Sequence, residues 1–120
     1  EAILTTAGAS NLQVNMKYVG FTAGTHCTAA IKLVGVAGGR INVDFYGKAS
    51  TAVVNFVTTL CSNIFVTGFM YNSGTTDSSK DVVDTVTGSL WFAWIYSASD
   101  SAAGSSLWGG GSSATYAKRL

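Results

Sequence analysis

The sequence predicts an all-β domain, an antiparallel β-sandwich or jelly-roll-like arrangement of seven to eight strands. Three observations carry this expectation. Apolar and polar residues alternate over 11–18, the period of a strand with one buried face. Short runs rich in Val, Ile, Thr and aromatic residues recur along the chain, as pleated surfaces favour. Gly-, Ser- and Asn-bearing breaks separate these runs at short intervals, as in sandwiches and barrels. No internal repeat is evident beyond this.

In chain order, residues 2–7 (AILTTA) form a short extended candidate before a Gly-Ala-Ser break. Over 11–18, Leu12, Val14, Met16 and Tyr18 face in, while Asn11, Gln13, Asn15 and Lys17 face out. Residues 28–36 make a strong strand with Ala29, Ile31 and Leu33 on one face. Ala37, Gly38 and Gly39 then read as a hairpin loop, and 40–46 returns with Ile41, Val43 and Phe45 inward. The pairing of those two strands is the firmest local expectation. Residues 49–62 are ambiguous. Ala52, Val53, Phe56, Val57 and Leu60 fit a helical stripe behind Ser50 as N-cap, so an α+β fold with one helix near 50–61 is the alternative. The β-branched residues Thr51, Val53, Val54, Val57, Thr58 and Thr59 favour a strand. Residues 64–71 form a further strand, in which Gly68 predicts a bulge or a close backbone approach.

The chain is organised around residues 82–96, whose second half is apolar at every position. Strand geometry puts Leu90, Phe92, Trp94 and Tyr96 on one face and Trp91, Ala93 and Ile95 on the other. A strand apolar on both faces needs two covers. A two-sheet sandwich supplies one, and a sister molecule is the simplest second. Residues 97–120 read as a Gly/Ser-rich C-terminal arm, and residues 1–18 as a subunit-linking strand attached to a single domain over 1–120.

Composition narrows the function. Only 11% of residues are charged, under half the usual quarter, so the polar surface is built from Ser, Thr, Asn and Gly. A net charge of +1 leaves little self-repulsion between copies. The seven basic residues are scattered except for Lys118 and Arg119, so nucleic acid is not an expected partner. No run of about 18 apolar residues offers a membrane span. Glu1 in place of Met suggests a processed precursor, and an extracellular site follows. In that setting Cys27 and Cys61 are expected to form a disulfide, stabilising the fold by roughly 3–4 kcal/mol.

Catalytic signatures are lacking. His26, the single histidine, precedes Cys27, but neighbours in a strand point apart and cannot form a Cys–His pair. No GxSxG accompanies the abundant serines. The Cys and His spacing matches no zinc pattern, and Asp77, Ser79 and Asp81 lack EF-hand spacing for calcium. Gly109–Gly110–Gly111 lacks the Lys-Ser/Thr of a phosphate loop. Neither a cofactor nor a metal is expected, and the chain does not read as an enzyme. The expectation is a structural subunit of an extracellular homopolymer, foremost a pilus-like filament held by strand addition and apolar contacts. A virion coat or tail protein comes second, and a secreted lectin-like module binding a surface glycan is the rival. The expected contact residues are Leu12, Val14, Met16, Tyr18, Trp91, Trp94, Trp108 and Tyr116.

Overall fold

The computed structural model describes residues 3–5, 8–20, 27–72, 80–84, 86, 90–97, 108–110 and 114–119, with backbone alone at 3–4, 20, 80, 97, 108–110 and 114–119. Among the described residues ten strands occur in chain order: β1 (Ile3–Leu4), β2 (Ser10–Gly20), β3 (Cys27–Leu33), β4 (Ala37–Gly47), β5 (Ala49–Phe56), β6 (Ser62–Asn72), β7 (Lys80–Asp84), β8 (Trp91–Ser97), β9 (Trp108–Gly110) and β10 (Ala114–Arg119). No helix is present among the described residues, and residues 49–56 are strand, as their β-branched content favours.

The strands form two five-stranded sheets. Sheet A has the order β1-β3-β5-β7-β9 and sheet B the order β10-β8-β6-β4-β2. Every strand pair is parallel. The antiparallel sandwich is therefore wrong. Each strand passes to the opposite sheet, and the next strand returns beside the one two places earlier. The chain winds as a solenoid of stacked coils, in which each strand of one sheet serves as the crossover for the other.

The expected hairpin fails for the same reason. β3 pairs with β1 and β5, and β4 pairs with β2 and β6, so the two strands lie in different sheets. Ala37, Gly38 and Gly39 are not a loop but the start of β4. The chain turns earlier, at 34–36, where Gly35 takes a positive φ of 58°.

Register shows the repeat. Val14, Ile41, Val66 and Ala93 share one inward column, so successive coils take 27, 25 and 27 residues. Asn11, Gly38 and Asn63 occupy equivalent places at the start of β2, β4 and β6, and all have positive φ, at 52°, 85° and 54°. Asn and Gly are the residues that enter this region at least cost. The corners stack as well: Ala37 N donates to Ala9 O, Ser62 N to Val36 O, and Leu90 N to Cys61 O. On the opposite corner Asn72 accepts from Ala49 N at 2.9 Å and donates back to Ala49 O at 3.2 Å.

The core lies between the sheets. From sheet B come Ile41, Val43, Phe45, Ile64, Val66, Met70, Trp91, Ala93 and Ile95; from sheet A come Ile31, Leu33, Val54, Phe56 and Val82. Trp91 stacks on Phe56 with ring centroids 5.4 Å apart. Its Nε1 donates to Asp84 Oδ2 at 2.9 Å, while Asp84 Oδ1 accepts from Val86 N at 2.9 Å. Gly68 bears out the close approach read from the sequence. It sits against the Val43 backbone with φ +131°, and a Cβ there would overlap the Val43 carbonyl.

Cys27 and Cys61 are both free thiols. Cys27 pairs in register with Ala49 at the start of β5, whereas Cys61 follows the far end of that strand. An eight-residue strand spans roughly 25 Å, well beyond the ~7 Å limit for a bridge. No disulfide joins the two cysteines in this structure. Cys61 is buried, accepts from Val36 N at 3.4 Å, and burial pushes its thiol pKa up. The folded chain thus keeps a proton that the unfolded chain releases. This contribution to stability is complete below the ordinary thiol pKa of about 8.5 and is lost as pH rises through the raised value. Urea melts from pH 7 to 10 are expected to show stability falling at the alkaline end, with a shallower fall in Cys61→Ala.

Candidate functional surface

Strand alternation in β8 works as the sequence implies, but the cover is uneven. Trp91, Ala93 and Ile95 point into the core, and Trp91 is only 2% exposed. Trp91 is therefore a core residue, its indole stacked on Phe56 and bonded to Asp84. Leu90, Trp94 and Tyr96 lie on the outer face of sheet B and are 52%, 40% and 53% exposed.

The outer face of sheet B is ordered in columns by the parallel register. Phe65 stacks on Phe92 at 4.8 Å between centroids. Tyr46, Phe69 and Tyr96 form a second ladder, at 5.0 and 5.4 Å, with Lys17 Nζ 5.9 Å from the Tyr46 ring. Rings stacked along the coil axis use their faces on one another and turn their edges outward. Between the ladders, Asn42 Nδ2 donates to Asn15 Oδ1 and Thr67 Oγ1 donates to Asn42 Oδ1, both at 3.1 Å. At the corner end, an open apolar groove of about 450 Å³ runs between Leu90, Phe65, Phe92 and Asn63.

The other notable surface is the open end of the core. Val14 is buried, but Leu12, Met16 and Tyr18 are only half-buried against the cluster. Val43 and Phe45, one coil further in on the same columns as Met16 and Tyr18, are fully buried. Burial and the nearby Cys27 thiol push the Tyr18 phenol pKa up. β1 and β2 are edge strands here, as β9 and β10 are at the far end.

The remaining sequence candidates are dispersed. Trp108 pairs with Val82 in sheet A and Tyr116 with Phe92 in sheet B, so the expected arm supplies strands to both sheets. Their side chains lie outside the described residues, as do His26, Asp77 and Ser79. Asp81 is buried in β7, and no group of metal-ligating side chains occurs among the described residues. What sequence reading missed is the column of Asn15, Asn42 and Thr67, which only the coil register brings together.

Comparison with known protein families, with curated proteins and with solved structures finds no match.

Proposed function

We propose that the chain is a structural subunit of an extracellular assembly in which copies stack coil on coil. The observation that carries this reading is the open end of the core, where Leu12, Met16 and Tyr18 of the edge strand β2 lie half-buried. An edge strand is a template for another strand unless it is blunted by charge, proline or a cover. β2 runs for 11 residues with Lys17 as its one charged side chain, and the chain has no proline. A sister chain's last coil placed on β1 and β2 would continue both parallel ladders and bury the three apolar side chains. Such a contact is head-to-tail and does not close on itself, which makes a filament. A pilus-like surface filament is the leading form, and a virion tail or coat element uses the same contact. The ion-poor, hydroxyl-rich composition supports the extracellular setting, whereas the free thiols lend it nothing.

The expected result is concentration-dependent oligomers in light scattering coupled to size exclusion, with filaments in negative stain. Each added coil lengthens a filament by about 4.8 Å. Leu12→Lys and Met16→Lys place a charge in the end contact and are expected to yield monomers with unchanged circular dichroism. A wild-type chain that stays monomeric at every concentration contradicts the proposal.

A further inference from the structure

The geometry points to a saccharide-binding furrow on the outer face of sheet B, independent of how copies assemble. Three columns of side chains run across the strands there. Gln13, Arg40, Phe65 and Phe92 form one; Asn15, Asn42, Thr67 and Trp94 form the middle one. Lys17 and Asp44 begin the third, which continues through Phe69 and Tyr96. Phe69 N donates to Asp44 Oδ1 at 3.2 Å and ties the two halves of that column together.

The middle column is short and polar up to Trp94, while its neighbours, Asp44 apart, are longer. The result is a shallow furrow along the coil axis, whose concavity of about 280 Å³ lies between the first and middle columns, lined by Gln13, Asn15, Arg40, Asn42, Phe65 and Thr67. Same-face neighbours along a strand are about 7 Å apart, so the two walls stand roughly 14 Å apart.

The lining selects the occupant. The floor side chains are held by their mutual hydrogen bonds, which leave the Asn15 amide hydrogens and the second Asn42 amide hydrogen as donors. The Thr67 oxygen keeps acceptor capacity. Fixed donors and acceptors in a row suit sugar hydroxyls, which both donate and accept. Phe65 on one wall and the half-exposed Trp94 further along the floor, before Lys118 in register, offer apolar surface to the C–H faces of a sugar ring. Arg40 and Lys17 outnumber the one carboxylate of these columns, Asp44, and Lys118 follows Trp94 in register, so the face carries a small net positive charge from scattered cations, without the clustered Lys and Arg that a polyphosphate chain requires. A second copy is a poor occupant. A two-fold contact would set furrow against furrow and take the remaining Asn donors out of water. An extended peptide would pair with a strand edge and not with this face. An unbranched saccharide chain lying along the axis fits all of these features.

The test uses the full chain on a printed array of plant, bacterial and animal glycans, followed by NMR titration with the strongest oligosaccharide found. Amide shifts are expected to cluster at Asn15, Asn42, Thr67 and Trp94. Trp94→Ala and Asn42→Ala, both at exposed positions, are expected to weaken binding by about tenfold or more while leaving circular dichroism unchanged. Leu60→Ser, on the exposed corner after β5, should bind as wild type. No retained glycan on the array, shifts confined to another surface, or undiminished binding by Trp94→Ala would each overturn the proposal.

Discussion

Gly68→Ala is expected to leave the chain unfolded, or destabilised by at least about 3 kcal/mol. Two independent costs combine at this position. The backbone holds φ at +131°, a region that residues with a Cβ rarely adopt. The added methyl would also overlap the Val43 carbonyl oxygen and carbon, which are main-chain atoms of the adjacent coil. A flexible side chain could swing aside, but a carbonyl in a parallel ladder cannot move without breaking its neighbours. The strain therefore falls on β4 and β6 at the centre of sheet B. Denaturant melts of the purified variant, or its loss to the insoluble fraction, report the effect. A stability within about 1 kcal/mol of wild type would show that β4 and β6 do not approach as described. Gly38→Ala, which meets only Asn11 at 3.5 Å or more, isolates the cost of positive φ alone and should be milder.

The second large effect is expected at Asp84, whose carboxylate is 1% exposed and accepts from both Trp91 Nε1 and Val86 N. Asp84→Asn keeps the shape but replaces one acceptor with a donor. In either orientation the amide sets an N–H against another N–H. The loss of a hydrogen bond to a buried charged group, with its partner left unsatisfied, costs about 2–3 kcal/mol. Trp91→Phe removes the indole donor while preserving much of the stack on Phe56. In the double variant the amide can turn towards Val86 without facing an indole N–H. The cycle should thus show a coupling of about 1 kcal/mol or more. Additive losses would mean that the Asp84–Trp91 bond is not formed in solution.

Side-chain facing was legible because alternation is local. Leu12 to Tyr18, Ile41 to Phe45 and Leu90 to Tyr96 all divide between their faces as their spacing dictates. Direction of pairing was not, because a parallel and an antiparallel strand alternate identically. The Gly38–Gly39 pair resembled a hairpin turn, yet Gly38 marks the same left-handed position that Asn11 and Asn63 occupy in neighbouring coils. That repeat was hidden because Asn and Gly exchange there and because coil lengths differ. The cysteine pairing was judged from compartment, whereas distance along β5 decides it. The furrow was beyond reach without register, since Asn15, Asn42 and Thr67 are ordinary polar residues until stacked. Trp91 and Trp94, three residues apart, have opposite fates, one in the core and one at the surface.

Every step from the open core end to the furrow depends on parallel coils in this register. Cross-strand NOEs in the isotope-labelled protein read that directly. The expected pattern links the backbone of Val14 to Ile41, Ile41 to Val66 and Val66 to Ala93, without close Hα–Hα contacts between strands. Strong Hα–Hα contacts between residues 28–36 and 40–46 would instead mark an antiparallel hairpin and contradict the solenoid.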